Sequence, residues 1–199
     1  MIPNFKKNIF ICVILFFSFS VFADTSNIET IVFVRHGEKT PVEMGQLNCQ
    51  GLNRSLLLPA YFQTHFAKPD YIFAPNPSVQ LDGFSYVRAL ATIEPTAVNL
   101  GMPVNTQIGF DQPQLLMQTL IAPQYQSATI YVAWEHQNIV KIATLLLKKF
   151  NNNSTAPNWS DKDFDKVFVF EINWNHQPAT VDFTTTSENL KHINTTCPN

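Results

Sequence analysis

Charge is scarce in this sequence. Only 14% of its 199 residues are Asp, Glu, Lys or Arg, and the formal net charge is -2. No run or stripe of Lys and Arg is present, which excludes nucleic acid as a partner. There is no His-Glu-x-x-His, no Cys-x-x-Cys and no carboxylate cluster, so neither a dedicated metal site nor a cofactor is expected. The absence of a Gly-x-Ser-x-Gly elbow argues against a serine hydrolase. No internal repeat or long linker divides the chain, and 45% hydrophobic residues suffice for one packed domain.

Long apolar runs are limited to one, at residues 9–22. It follows Lys6 and Lys7 and runs out into Val21-Phe22-Ala23, the pattern of an export signal ending before Asp24. At about 14 residues the run is short of the roughly 20 that a membrane span needs. The reading is a signal peptide at residues 1–23, with an uncleaved N-terminal anchor as the alternative, one domain at 24–199, a periplasmic or secreted location, and no stable membrane insertion after cleavage. Loss of Lys6 and Lys7 takes the basic residues from 13 to 11 against 15 acidic ones, a net of -4. Of the three cysteines, Cys49 and Cys197 would remain, as one disulfide or as two thiols.

Short β-branched and aromatic runs at residues 30–34, 71–74, 129–133, 167–172 and 180–183 predict strands. A further short strand is read at 104–108. Apolar residues at helical spacing predict helices at 53–66, 86–100, 112–121 and 138–150, the second interrupted near Pro95 and stopped by Gly101. Asp111 is the expected N-cap of the third, and residues 75–83 read as loop. Strands alternating with helices argue for an α/β fold with a mainly parallel sheet covered on both faces.

The chemistry concentrates after the first strand, in Arg35-His36-Gly37-Glu38-Lys39-Thr40-Pro41. A sheet of this kind places ligands at its carboxyl edge. There Arg35 offers a planar donor fork, Gly37 permits close backbone approach, and a neutral His36 can attack phosphorus. Arg88 opens one helix and His136 follows the strand at 129–133, so two arginines and two histidines can converge on a phosphoryl group. Glu38, by strand alternation, faces away. Arg54 reads as a solvated or salt-bridged surface residue, with the pocket rim as the other option. His65 reads as structural at a helix end, and His176 and His192 lack ligand spacing.

These residues resemble the histidine phosphatase superfamily, over residues 31 to about 172. The resemblance implies a three-layer α/β/α sandwich of the phosphoglycerate mutase-like kind and metal-free, two-step phosphoryl transfer. It places the nucleophile on His36, the phosphate clamp on Arg35 and Arg88, and the second pocket histidine on His136. The spacing to Lys39 resembles the acid-phosphatase branch, where arginine is usual; lysine is a point charge without the fork. That branch carries Asp directly after the second histidine, whereas this chain has Gln137. Asp111 and Glu135 are the two candidates for general acid. The expected partner is a phosphorylated small molecule or envelope component, and oligomeric state is not readable. The competing reading is a binding or sensor protein that keeps the pocket without turnover.

Overall fold

Strand β1 (Ile28–Arg35) is buried on both faces from Ile31 onward, which explains its unbroken apolar run. The computed structural model describes residues 27–198, so the expected signal peptide lies outside the described residues. β1 is followed by α1 (Cys49–His65), β2 (Tyr71–Phe73), a two-stranded hairpin of β3 (Gln80–Leu81) and β4 (Phe84–Ser85), and α2 (Arg88–Leu100). Then come α3 (Pro113–Leu120), a short 3-10 turn at Pro123–Tyr125, β5 (Thr129–Trp134), α4 (His136–Lys149), β6 (Lys166–Asn173) and β7 (Thr180–Ser187).

The sheet order is β2-β5-β1-β6-β7. β2, β5 and β1 are parallel, while β6 pairs antiparallel with β1 and β7 antiparallel with β6. Alternate β1 side chains serve opposite faces. Val32 and Val34 pack with Leu58 and Phe62 of α1 and Ile93 and Ala97 of α2. Ile31 and Phe33 pack with Leu116 and Leu120 of α3 and Ile139, Ile142 and Leu146 of α4. The result is the three-layer α/β/α sandwich, with three of its five strands parallel. Among the described residues, no helix is long and apolar enough to cross a membrane.

The antiparallel course of β6 positions the site. Val34 pairs with Val167, so β6 begins beside the carboxyl end of β1. The residues just before it, 160–165, therefore lie at the edge where β1 and β5 terminate.

Several elements differ from the sequence reading. α1 starts at Cys49 because Asn48 caps it, its side chain accepting from Gly51 N at 2.9 Å. α2 passes through Pro95 unbroken; this proline is half-buried, and the Ala91 carbonyl deprived of a partner can be hydrated. Gly101 ends α2 in the left-handed region, as expected. Gln112, not Asp111, precedes α3, and Pro113 occupies its first turn. Residues 104–108 form no strand, contributing one bridge from Asn105 to Phe73. The expected loop at 75–83 ends in the β3–β4 hairpin, whose turn residues Asp82 and Gly83 both have positive φ.

Cys49 and Cys197 form a disulfide that ties the first residue of α1 to the C-terminal segment. Asn53 Nδ2 reinforces the tie by donating to the carbonyls of Asn194 and Thr196 at 2.8 and 2.7 Å. The bond spans 148 residues of sequence. Its reduction is expected to cost about 2–5 kcal/mol. Thermal denaturation with and without reductant checks this; identical midpoints would contradict it.

Two buried carboxyls make stability fall with rising pH. Burial raises Glu29 from 4.5 to about 8, only partly offset by the hydrogen bond from Trp174 Nε1. Burial also raises Glu188 to about 8. Between the ordinary and raised values the folded state holds protons that the unfolded state has lost, so raising pH favours unfolding. His36 acts oppositely but only below about 6.5, its unfolded value. Denaturant midpoints are therefore expected to fall from about pH 6.5 to 8, with a shallower slope in Glu29→Gln. A flat profile in the parent protein would contradict this.

Candidate active site

His36 is the residue after β1, its N–H donating to Trp134 O of β5 at 3.0 Å. Glycines on both sides of the contact let α1 press against this turn. A Cβ on Gly37 would meet Gly51 Cα at 2.9 Å, and one on Gly51 would meet Glu38 O at 2.3 Å. Gly37 N donates to Thr92 Oγ1 of α2 at 2.8 Å, and that hydroxyl donates to Arg88 O at 2.8 Å. One chain of contacts thus joins the turn bearing His36 to the start of the helix bearing Arg88.

The imidazole of His36 is buried, flanked edge-on by the rings of Tyr86 and Phe164. Burial first, then the positive charges of Arg88 and Arg35, hold its pKa well below the usual histidine value. It is therefore neutral. Its Nδ1 lies 2.8 Å from Gly37 O. A carbonyl can only accept, so Nδ1 carries the ring proton and Nε2 keeps its lone pair. That is the tautomer a nucleophile needs.

Arg35, buried beside it, extends Nη1 toward the carbonyls of Ser160, Asp161 and Asp163 at 3.2, 2.9 and 3.0 Å. Phe164 stacks 3.9 Å from its guanidinium carbon. Burial, only partly opposed by Glu135 and Asp161, lowers its pKa to about 10 and leaves it charged at neutral pH. Nη1 is thus spent on the loop, so the expected donor fork is narrowed to Nε and Nη2. Arg88 stacks on Tyr86 and pairs through Nη1 with Glu43. Lys39 Nζ meets the same carboxylate at 2.9 Å. Glu43 is held below the usual carboxylate range: burial would raise it, but hydrogen bonds from Lys39 and Gly45 N and the charge of Arg88 prevail. The loop carrying Glu43 is fixed at Gly45, whose carbonyl accepts from Val87 N and Arg88 N. Only glycine fits there, since a Cβ would lie 1.9 Å from Ser85 O.

His136 opens α4 and faces the same cavity, of about 430 Å³, whose lining includes Arg35, His36, Lys39, Arg88, Glu135 and Asp161. Its Nε2 lies 2.6 Å from Asp161 Oδ1. Its Nδ1 is 2.7 Å from Glu135 Oε1 yet without a hydrogen bond, the angle being poor. Arg35 Nε and Arg88 Nε are also buried without a partner. Buried N–H donors are rarely left so, and an anion in this cavity would satisfy them.

The structure brings together Arg35, His36, Lys39, Arg88, Glu135 and His136, and leaves out Asp111, which is exposed and not part of the cavity wall. Glu135 lines the cavity but caps α4, accepting from Gln137 N at 2.9 Å and Asn138 N at 2.8 Å. Burial would raise its pKa, but the close approach of His136 and the hydrogen bonds from these two amides lower it, so it is held as carboxylate, a poor proton donor. Glu38 does face away, taking Arg54 Nη2 at 2.8 Å and Nε at 3.0 Å. Arg54 is fully buried rather than on the surface. His65 is structural, its ring 2.8 Å from Tyr61 O. Sequence reasoning missed Glu43, Asp161 and Phe164. Glu43 had a faint signal in its four-residue spacing from Lys39; the other two had none before the course of β6 was known.

No protein-family model matches the chain, and no curated protein matches its sequence. Solved structures do match. One assigned as the phosphohistidine phosphatase SixA of Nakamurella multipartitia has a TM-score of 0.51 at 15% identity, covering 80% of this chain and 95% of that one. A phosphoglycerate mutase from Plasmodium falciparum gives 0.52 at 12% identity, covering 87% and 98%. The neighbours are members of the histidine phosphatase superfamily, so the chain has the phosphoglycerate mutase-like fold that its sequence led us to expect.

Proposed function

We propose that the chain is a phosphatase whose His36 takes the phosphoryl group from an ester and passes it to water, without a metal. The observation that carries this is the state of His36: buried, neutral, and with its proton fixed on Nδ1 by Gly37 O. In the first step Nε2 bonds to phosphorus as the ester P–O bond breaks. Arg35, Arg88 and His136 surround the equatorial oxygens and stabilise their charge, and Lys39 adds a point charge at the rim. Water then attacks phosphorus, and the electron pair of the P–N bond returns to Nε2.

The proposal includes export to an oxidising compartment. It is supported by the N-terminal pattern and by the Cys49–Cys197 pairing. A phosphorylated small molecule or envelope component fits that location. The competing reading, a protein that holds a phosphorylated ligand without turnover, draws on the positions of Asp111 and Glu135, neither suited to proton donation. An aryl phosphate with a good leaving group separates the two, because it makes little demand on an acid. Hydrolysis that persists in a chelator is the expected result. Phosphate binding by the folded protein with no hydrolysis would transfer the assignment to the binding reading.

A further inference from the structure

The phosphatase reading leaves the leaving oxygen without a proton donor, and the carboxyls around the cavity can be weighed one by one. Glu135 is fixed by two backbone amides, and Glu43 by Lys39, Arg88 and Gly45 N. Glu38 is engaged bidentately by Arg54. Asp163 accepts from Asp165 N and lies 3.5 Å from Lys166 Nζ. Asp161 differs. Its carboxylate makes one polar contact, with His136 Nε2 at 2.6 Å, and its side chain is 79% exposed at the cavity mouth. Its backbone is anchored independently, since its carbonyl accepts from Arg35 Nη1. The side chain is therefore free to move while the residue is not.

We propose that Asp161, paired with His136, is the general acid that protonates the leaving oxygen; this rests on the phosphatase reading above. The hydrogen bond between Nε2 and Oδ1 holds one proton between imidazole and carboxyl. A phosphate dianion seated among Arg35, Arg88 and His136 competes for His136 and lies next to the Asp161 carboxylate. Asp161 then stands between His136 and the leaving oxygen, placed to pass on the proton of that hydrogen bond. As His36 Nε2 bonds to phosphorus, the P–O bond breaks with its electron pair on oxygen, and the Asp161 proton moves to that oxygen. In the second step water attacks phosphorus as the P–N bond breaks, its proton passing to solvent, from which Asp161 is reprotonated. One proton leaves and one returns.

The test is the dependence of rate on leaving group for the full protein and for Asp161→Asn, which keeps the backbone anchor of Arg35. An alkyl phosphate, which needs protonation, is expected to slow by about 10²–10⁴-fold, with a p-nitrophenyl ester little changed. Asp161→Glu should recover part of the alkyl rate. Equal losses on both esters would overturn the proposal, reducing Asp161 to a support for His136. So would unchanged kcat with a lower KM, which would make Asp161 an internal competitor for the phosphate site. A parent protein inert toward every ester would overturn the phosphatase reading itself, an outcome distinct from a parent that turns over and a variant that matches it.

Discussion

Replacing His36 with alanine is expected to remove turnover of every phosphate ester, by on the order of 10⁴-fold or more, while phosphate still binds. The basis is that no second group duplicates its role. His136, the only other imidazole on the cavity wall among the described residues, has its Nε2 turned to Asp161. The clamp, in contrast, survives the substitution. Phe164 and Tyr86 also flank the His36 ring, but Arg35 keeps its three carbonyls and Arg88 keeps Glu43. Affinity for inorganic phosphate, measured by calorimetry, should therefore change far less than kcat. Residual activity near that of the parent would place the nucleophile elsewhere.

The second large effect concerns stability. Arg54 is fully buried and faces three carboxyls: Glu38, Asp165 at 3.4 Å and Glu188. One guanidinium cannot balance three carboxylates, and burial together with the neighbouring Asp165 and Glu38 keeps a proton on Glu188. Burial would lower the pKa of Arg54, but the hydrogen bonds and charges of Glu38 and Glu188 raise it, so the cation is firmly held. Arg54→Met leaves these carboxyls buried without a cation and is expected to cost about 3–5 kcal/mol in urea unfolding. The loss should shrink in acid, where the orphaned carboxyls can be neutral, and Glu188→Gln should restore part of it. A loss below about 1 kcal/mol would mean that the cluster is solvated, contrary to its burial. Glu38 immediately follows Gly37, so the same cluster also fixes the far side of the nucleophile's turn.

How much of this was legible in the sequence follows the physics of each part. β1 and β5 were visible because strands buried on both faces read as unbroken apolar runs. The residue types of the cavity, two arginines and two histidines after strands or opening helices, were visible because their chemistry is specific. What strand alternation said of Glu38 holds. Glu135, kept there as a candidate acid, does line the cavity, but its carboxyl turns back to cap α4. Asp111 was chosen by position in the chain, but the residue that reaches the cavity there is Phe110. The partners of Arg35 are backbone carbonyls, which carry no side-chain signature. The late antiparallel strands were the larger gap. No helix separates β6 from β7, so that pair had no crossover to make it parallel. Only that reversal brings Asp161 and Phe164 to the edge where β1 ends.

Rapid-quench trapping shows whether phosphorus bonds to His36 Nε2. The protein would be mixed with a ³²P-labelled aryl phosphate, quenched in alkali within a turnover, and the label located by peptide mapping. An acid-labile, alkali-stable phosphoryl group is expected on the peptide containing His36, absent from His36→Ala. Steady turnover with no label on the protein, or label on any other residue, would contradict it.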